Sequence, residues 1–131
     1  MNNIVAEWVE KAEGDFRTAE RKARVRKVPN YDAVCFHAQQ CAEKYLKAFL
    51  TQHQIPFRPI HDLEVLLGPV VPISPGFEFV RDLLLLLNDY AVDVRYPGES
   101  ATKEEASAAV KAMRTVRVFV RQKLELTDQA I

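Results

Sequence analysis

Glycine is scarce in this 131-residue chain, and its four copies are too dispersed to build a phosphate-cradling loop. Serine occurs three times (Ser74, Ser100, Ser107), never in a nucleophile setting, and no pair of carboxylates stands out for acid–base work. The two cysteines, Cys35 and Cys41, fall on one expected helix, about 9 Å apart along its axis and on different faces. That excludes a disulfide between them and points to buried free thiols in a reducing compartment. The three histidines show no ligand spacing, so no metal is expected. The longest apolar run, Leu83 to Leu87, is far short of the ~20 residues a membrane helix needs. The charged, amphipathic N-terminal stretch has no signal-peptide core, so the expected location is cytoplasmic. Formal net charge is zero, so any attraction for nucleic acid must come from local patches.

What is present is helical periodicity. Val5, Val9, Ala12, Phe16, Ala19 and Ala23 form an apolar stripe over about 3–26, with Trp8 at its edge. Acids precede bases along this segment, from Glu7, Glu10, Glu13 and Asp15 to Arg17, Arg21, Lys22, Arg24, Arg26 and Lys27. That order complements a helix dipole, and the basic cluster is also open to a ligand. "VPN" breaks the chain, and Asn30 is the expected N-cap of a second helix running to about His53. "HDLEVLLG" reads as a short helix, and Ser74-Pro75 as the start of another through "FEFVRDLLLLLNDY". Apolar nearly all round, this last segment is expected to be the most buried element, or to finish against a second copy of the chain. "AVDVRYPGES" reads as an ordered loop. Thr102 and Glu105 form a capping box for a final helix to about Leu126, with Ala109, Met113, Val116, Val120 and Leu124 inward. The expected fold is all-α: one domain (1–131), an antiparallel up-and-down bundle of four long helices plus one short helix.

The candidate chemistry lies on the second helix. At about 100° per residue, His37, Gln40, Lys44 and Lys47 of "FHAQQCAEKYLKAFL" share an arc of about 80°, opposite Val34, Ala38, Cys41, Ala42, Tyr45 and Phe49. Two readings are open. Lys44 and Lys47 suit phosphate, with His37 and Gln40 extending the surface; equally, Glu43 and Lys47 make an i, i+4 pair on a solvated face. His61 either caps or packs at a helix start, or hydrogen-bonds a phosphate there. Arg95 and Tyr96 offer a guanidinium fork and a stacking face, or else a clamp on Asp89 or Asp93 and a plug for the bundle end. Arg114, Arg117 and Arg121 share a stripe that is either a solvated flank or one wall of a basic groove.

"FHAQQCAEKYLKAFL", then "HDLEVLL", then "RYPG" and the "EEA" helix start, in that order, resemble the HEPN family over nearly the whole chain. The resemblance implies a helical bundle, commonly a homodimer, with nucleotide or RNA binding in several branches. It also implies a minimal nucleotidyltransferase as partner, in a toxin–antitoxin type of pair. Ribonuclease branches carry an Arg followed, after four to six residues, by a His. Here His61 follows Arg58 with two residues between, His37 follows Arg26 with ten, and His53 is farther still. The motif is missing, and with it the expected base and charge stabiliser. The expectation is therefore a nucleotide-binding domain (ATP, GTP or RNA) lined by His37, Gln40, Lys44, Lys47, His61, Arg95 and Tyr96, with no metal and no resident cofactor. The alternatives are an interaction module with no ligand, or an atypical ribonuclease using His37 or His61 with Arg95.

Overall fold

A computed structural model describes residues 2–92 and 96–126. Five α-helices follow one another: α1 Asn3–Ala23, α2 Tyr31–Gln52, α3 Leu63–Leu67, α4 Arg81–Asn88 and α5 Lys103–Lys123. A 3-10 helix, Pro75–Val80, leads directly into α4 and makes one composite arm with it. The long elements pack as an all-α bundle, with α3 as the short extra helix.

Each long helix starts where a side chain can take up an orphan amide. The Asn2 side chain accepts from the Val5 amide at 2.8 Å, and Asn30 accepts from Ala33 at 3.0 Å. Thr102 and Glu105 complete the capping box reciprocally. Two helices end with a residue in the left-handed region: Gln54 (φ 56°) after α2 and Glu125 (φ 61°) after α5. In each case the next amide reaches back into the last turn, Ile55 to the Leu50 carbonyl at 2.9 Å and Leu126 to Arg121 at 2.8 Å. The short helix begins at Leu63 and is capped by Asp62, whose carboxylate accepts from Glu64 and Val65. His61 is thus not its cap. Ser74 likewise makes no capping bond, although Pro75 does open the 3-10 turn.

The most buried element is α2, where no residue is exposed, and this corrects the expectation for the leucine-rich segment. Ala33, Ala38, Ala42, Ala48, Cys35 and Cys41 are all buried, and such small side chains let α1 and α5 approach closely. In α4 only Leu84 and Leu87 are buried. Leu85 and Leu86 remain 38% and 39% exposed, and Phe79 just before them 77%. Eight residues cover barely two turns, so one stripe of that arm faces the core and the rest does not. All five inward residues expected of α5 are buried. Phe49, Phe77 and Phe119 join α2, the 3-10 turn and α5, with ring centroids 4.8 and 5.0 Å apart.

The stretch after α4 is neither helix nor strand at its described residues. Tyr96 to Glu99 close a turn, the Glu99 amide donating to the Tyr96 carbonyl at 2.9 Å. Pro97 and Gly98 hold the central positions, and Gly98 adopts φ +90°, which glycine alone takes without strain. The Asp32 carboxylate at the start of α2 accepts from the Ala101 amide at 2.7 Å, anchoring the entry to α5.

Candidate functional site

The polar stripe of α2 is neither a solvated face nor an open row of cations. It is organised by two carboxylates. Asp15, on α1, accepts from His37 Nδ1 at 2.8 Å and is ion-paired with Lys44. Glu43, on α2 itself and 2% exposed, accepts from Lys47 Nζ at 3.0 Å and from His61 Nδ1 at 3.0 Å. Gln40 lies between these clusters and donates to Gln39 at 2.8 Å, while Gln39 donates to the His61 carbonyl at 3.1 Å. A carboxylate can only accept, so both histidines carry their proton on Nδ1. The His61 side chain is 61% exposed, so its other nitrogen faces outward.

Lys47 is the most enclosed cation of the α2 stripe. Its ammonium lies 5.6 Å from the centroid of Trp8 and 5.8 Å from that of Phe57, which roof the pair with Glu43. Lys44 and His37 keep about a quarter of their side chains in solvent. The structure therefore gathers His37, Gln40, Lys44, Lys47 and His61 on one face, each engaged with a neighbour. Tyr96 is 74% exposed and does not plug the bundle end. No hydrogen bond, ion pair or ring contact among the described residues ties it to the stripe. Arg95 lies outside the described residues.

A third carboxylate organises the α1–α5 side. Glu13 takes a two-pronged bond from Arg117, Nε to Oε2 at 2.7 Å and Nη2 to Oε1 at 2.8 Å, and accepts from the Tyr45 hydroxyl. Arg121 donates to that hydroxyl at 3.1 Å. Arg117 also stacks over Phe16, 4.4 Å from the ring centroid. Burial works to raise the Glu13 pKa. The bonds from Arg117 and Tyr45 and the two guanidinium charges outweigh it, leaving Glu13 below its ordinary value. Burial and the bond to Glu13 push the Tyr45 phenol upward. Farther along, Glu20 holds Arg114 through two bonds, and that pairing raises the arginine's pKa. Arg117 and Arg121 are thus interior groups, neither a solvated flank nor a groove wall.

Sequence reading passed over Glu13 and Asp15 by assigning them to the helix dipole. Their signal was position. Asp15 falls between Ala12 and Ala19 beside Phe16, within the arc that faces the core, where an acid needs a partner. Among the described residues, no group of three or more His, Cys, Asp or Glu is arranged to hold a metal ion, and no helix is long and apolar enough to cross a membrane.

Fold and site together define a helical bundle whose interior carries a ladder of acid-centred polar clusters, from Glu43 through Asp15 and Glu13 to Glu20. The chain belongs to the HEPN family, whose domain model matches residues 5–123. It is similar in structure to TT1696 from Thermus thermophilus, with 25% identity and a TM-score of 0.78 over 93% of this chain and 99% of that one. It is also similar to ST0689, an archaeal HEPN homologue, with 24% identity and a TM-score of 0.75 over 95% of this chain and 99% of the other. Among curated proteins, none is similar enough to this chain to count as a match.

Proposed function

We propose that this is a binding rather than a cleaving HEPN protein: a homodimer that acts with a minimal nucleotidyltransferase in a toxin–antitoxin type of pair. The observation that carries the reading is the commitment of Lys47, Arg117 and Arg121 to interior contacts, while Phe79, Leu85 and Leu86 stand exposed along one arm. Buried charges already paired are poor anion receptors, and a row of exposed large apolar groups favours a protein contact. The missing Arg-to-His spacing supports the same reading. The second copy of the chain is the occupant we assign to the Phe79–Leu86 face, because the family resemblance implies a homodimer and this arm carries exposed large apolar groups. Light scattering at micromolar concentration tests this, with Phe79→Asp expected to give a monomer; a monomeric parent overturns it. Co-expression with a nucleotidyltransferase encoded beside the gene tests the partner, and failure of the two products to co-purify counts against it.

A second reading keeps a ligand at the solvent-facing edge of the α2 stripe. It rests on His61, whose outward nitrogen is oriented by the buried Glu43 carboxylate in the manner of a carboxylate–imidazole pair. Nucleotide contact there would use His61 with Lys44, His37, Gln40 and Lys47, and with Arg95 and Tyr96 from the loop. Titration with ATP, GTP and short RNA against Lys44→Ala tests binding. Long incubation with structured RNA, comparing parent and His61→Ala, tests cleavage.

A further inference from the structure

Three exposed cations without acid partners among the described residues gather at a different place. Between the end of α1, the start of α2 and the first half of α5 lies a cleft of about 280 Å³. Arg24, Lys103, Lys111 and Arg114 line it, with Tyr31 and Ser107, and Glu20 is the only carboxylate in its wall. Glu20 is already spent. Both its oxygens bind Arg114, through Nε and Nη2, which fixes that guanidinium while its side chain stays 55% exposed. Arg24, Lys103 and Lys111 are exposed and form no ion pair among the described residues.

Helix electrostatics account for only half of this cluster. Arg21 and Lys22 sit in the last turn of α1 and Arg24 caps it, where the dipole favours positive charge. Lys103 is the first residue of α5, the end at which the dipole favours acids, and Lys111 and Arg114 follow on the cleft side. The Ser107 hydroxyl and the Tyr31 phenol, neither with a hydrogen bond among the described residues, complete a wall of donors. Three unpaired cations beside the Glu20–Arg114 pair, in so small a volume, match a compact multiply charged anion better than an extended acidic peptide.

We propose that this cleft is an oligophosphate-binding site, separate from the α2 stripe, that takes two or more linked phosphates. The oligophosphate is carried by a nucleoside di- or triphosphate or is free inorganic tripolyphosphate. Tyr31 distinguishes the sources, because a base stacked on its ring strengthens the nucleotide alone.

Isothermal titration of the full chain with tripolyphosphate and with ATP, without metal, tests the site. Binding of at least one probe at micromolar to submillimolar concentration is expected, weakened at least tenfold by Arg24→Ala/Lys111→Ala and by Lys111→Glu. These exposed side chains make no internal bond, so the variants should melt as the parent does. Lys11→Ala, which removes an exposed cation of α1 outside the cleft, should leave the affinity unchanged, which separates the cleft from general surface charge. A Tyr31→Leu loss confined to ATP identifies the nucleotide, and equal binding of both probes identifies the bare oligophosphate. No binding of either probe below millimolar, or binding that the cleft variants do not weaken, overturns the proposal.

Discussion

Replacing Glu13 by glutamine keeps the shape of the side chain and removes an anion that faces two interior guanidinium groups. Glu13 is 12% exposed at its side chain, Arg117 4% and Arg121 6%. Removing one partner of so enclosed a pair is strongly destabilising, at a cost of about 3–5 kcal/mol. Domains of this size are stable by only about 5–15 kcal/mol, so the loss is a large part of the total. With a urea m-value of about 2 kcal/mol/M, the midpoint should fall by about 1.5–2.5 M. Thermal unfolding should move down by on the order of 10 °C.

The double variant Glu13→Gln/Arg117→Met sharpens the test. Methionine keeps an apolar chain against Phe16 and removes the guanidinium that Glu13 had paired, so the double variant should recover at least half of the single variant's loss. A Glu13→Gln loss under about 1 kcal/mol, or additive losses in the double variant, would refute the claim that this cluster holds α5 to α1. Acid should act through the same carboxylate. Its folded pKa lies below the unfolded 4.5, so the stabilisation is present above that value and fades as pH falls through the folded one. The parent should therefore lose more stability below pH 4.5 than Glu13→Gln does, with midpoints measured across that range.

Three further outcomes are expected. Burial pushes the Cys41 thiol well above its ordinary pKa, so neither it nor the buried Cys35 should react with a disulfide reagent at pH 8 until denaturant is added. Lys47→Ala should cost about 2–3 kcal/mol by urea titration, and Lys44→Ala, which is partly solvated, about 1 kcal/mol or less. Gln54→Gly should raise stability by about 0.5–1 kcal/mol, because glycine occupies the left-handed region without the side-chain clash.

Local chemistry was legible in the sequence and tertiary pairing was not. Asn30, and Thr102 with Glu105, act as caps because capping is decided within four residues. The inward set of α5 follows from period alone. On the α2 stripe the i, i+4 pair of Glu43 with Lys47 was legible, but the other partners are remote in sequence, Asp15 lying 22 residues before His37 and 29 before Lys44. Spacing on one helix cannot tell a cation that waits for phosphate from one that meets an acid on its neighbour. The leucine run misled differently: high apolar content was taken for centrality, whereas the central helix is the one rich in alanine and cysteine. Small residues permit close approach on every side, which large ones prevent.

The distribution of the acids has a consequence for where charge remains available. Glu13 and Asp15 stand two residues apart on α1, about 200° around its axis, so one faces α5 and Tyr45 and the other faces α2. A slip of α1 by one turn against either neighbour would strand a guanidinium or an ammonium inside the bundle, so the carboxylates fix register as well as neutralise charge. Cations so engaged are unavailable to a ligand unless it competes with an acid already at hydrogen-bond distance. In a chain with no net charge, attraction for an anion must then come from groups outside the ladder, and these concentrate where α1 ends and α5 begins. Binding there should weaken steeply with added salt, since exposed charges are screened over about 10 Å at 0.1 M ionic strength. Stability from the buried pairs should barely respond to the same salt, and that contrast separates the cations that build the fold from those free to act.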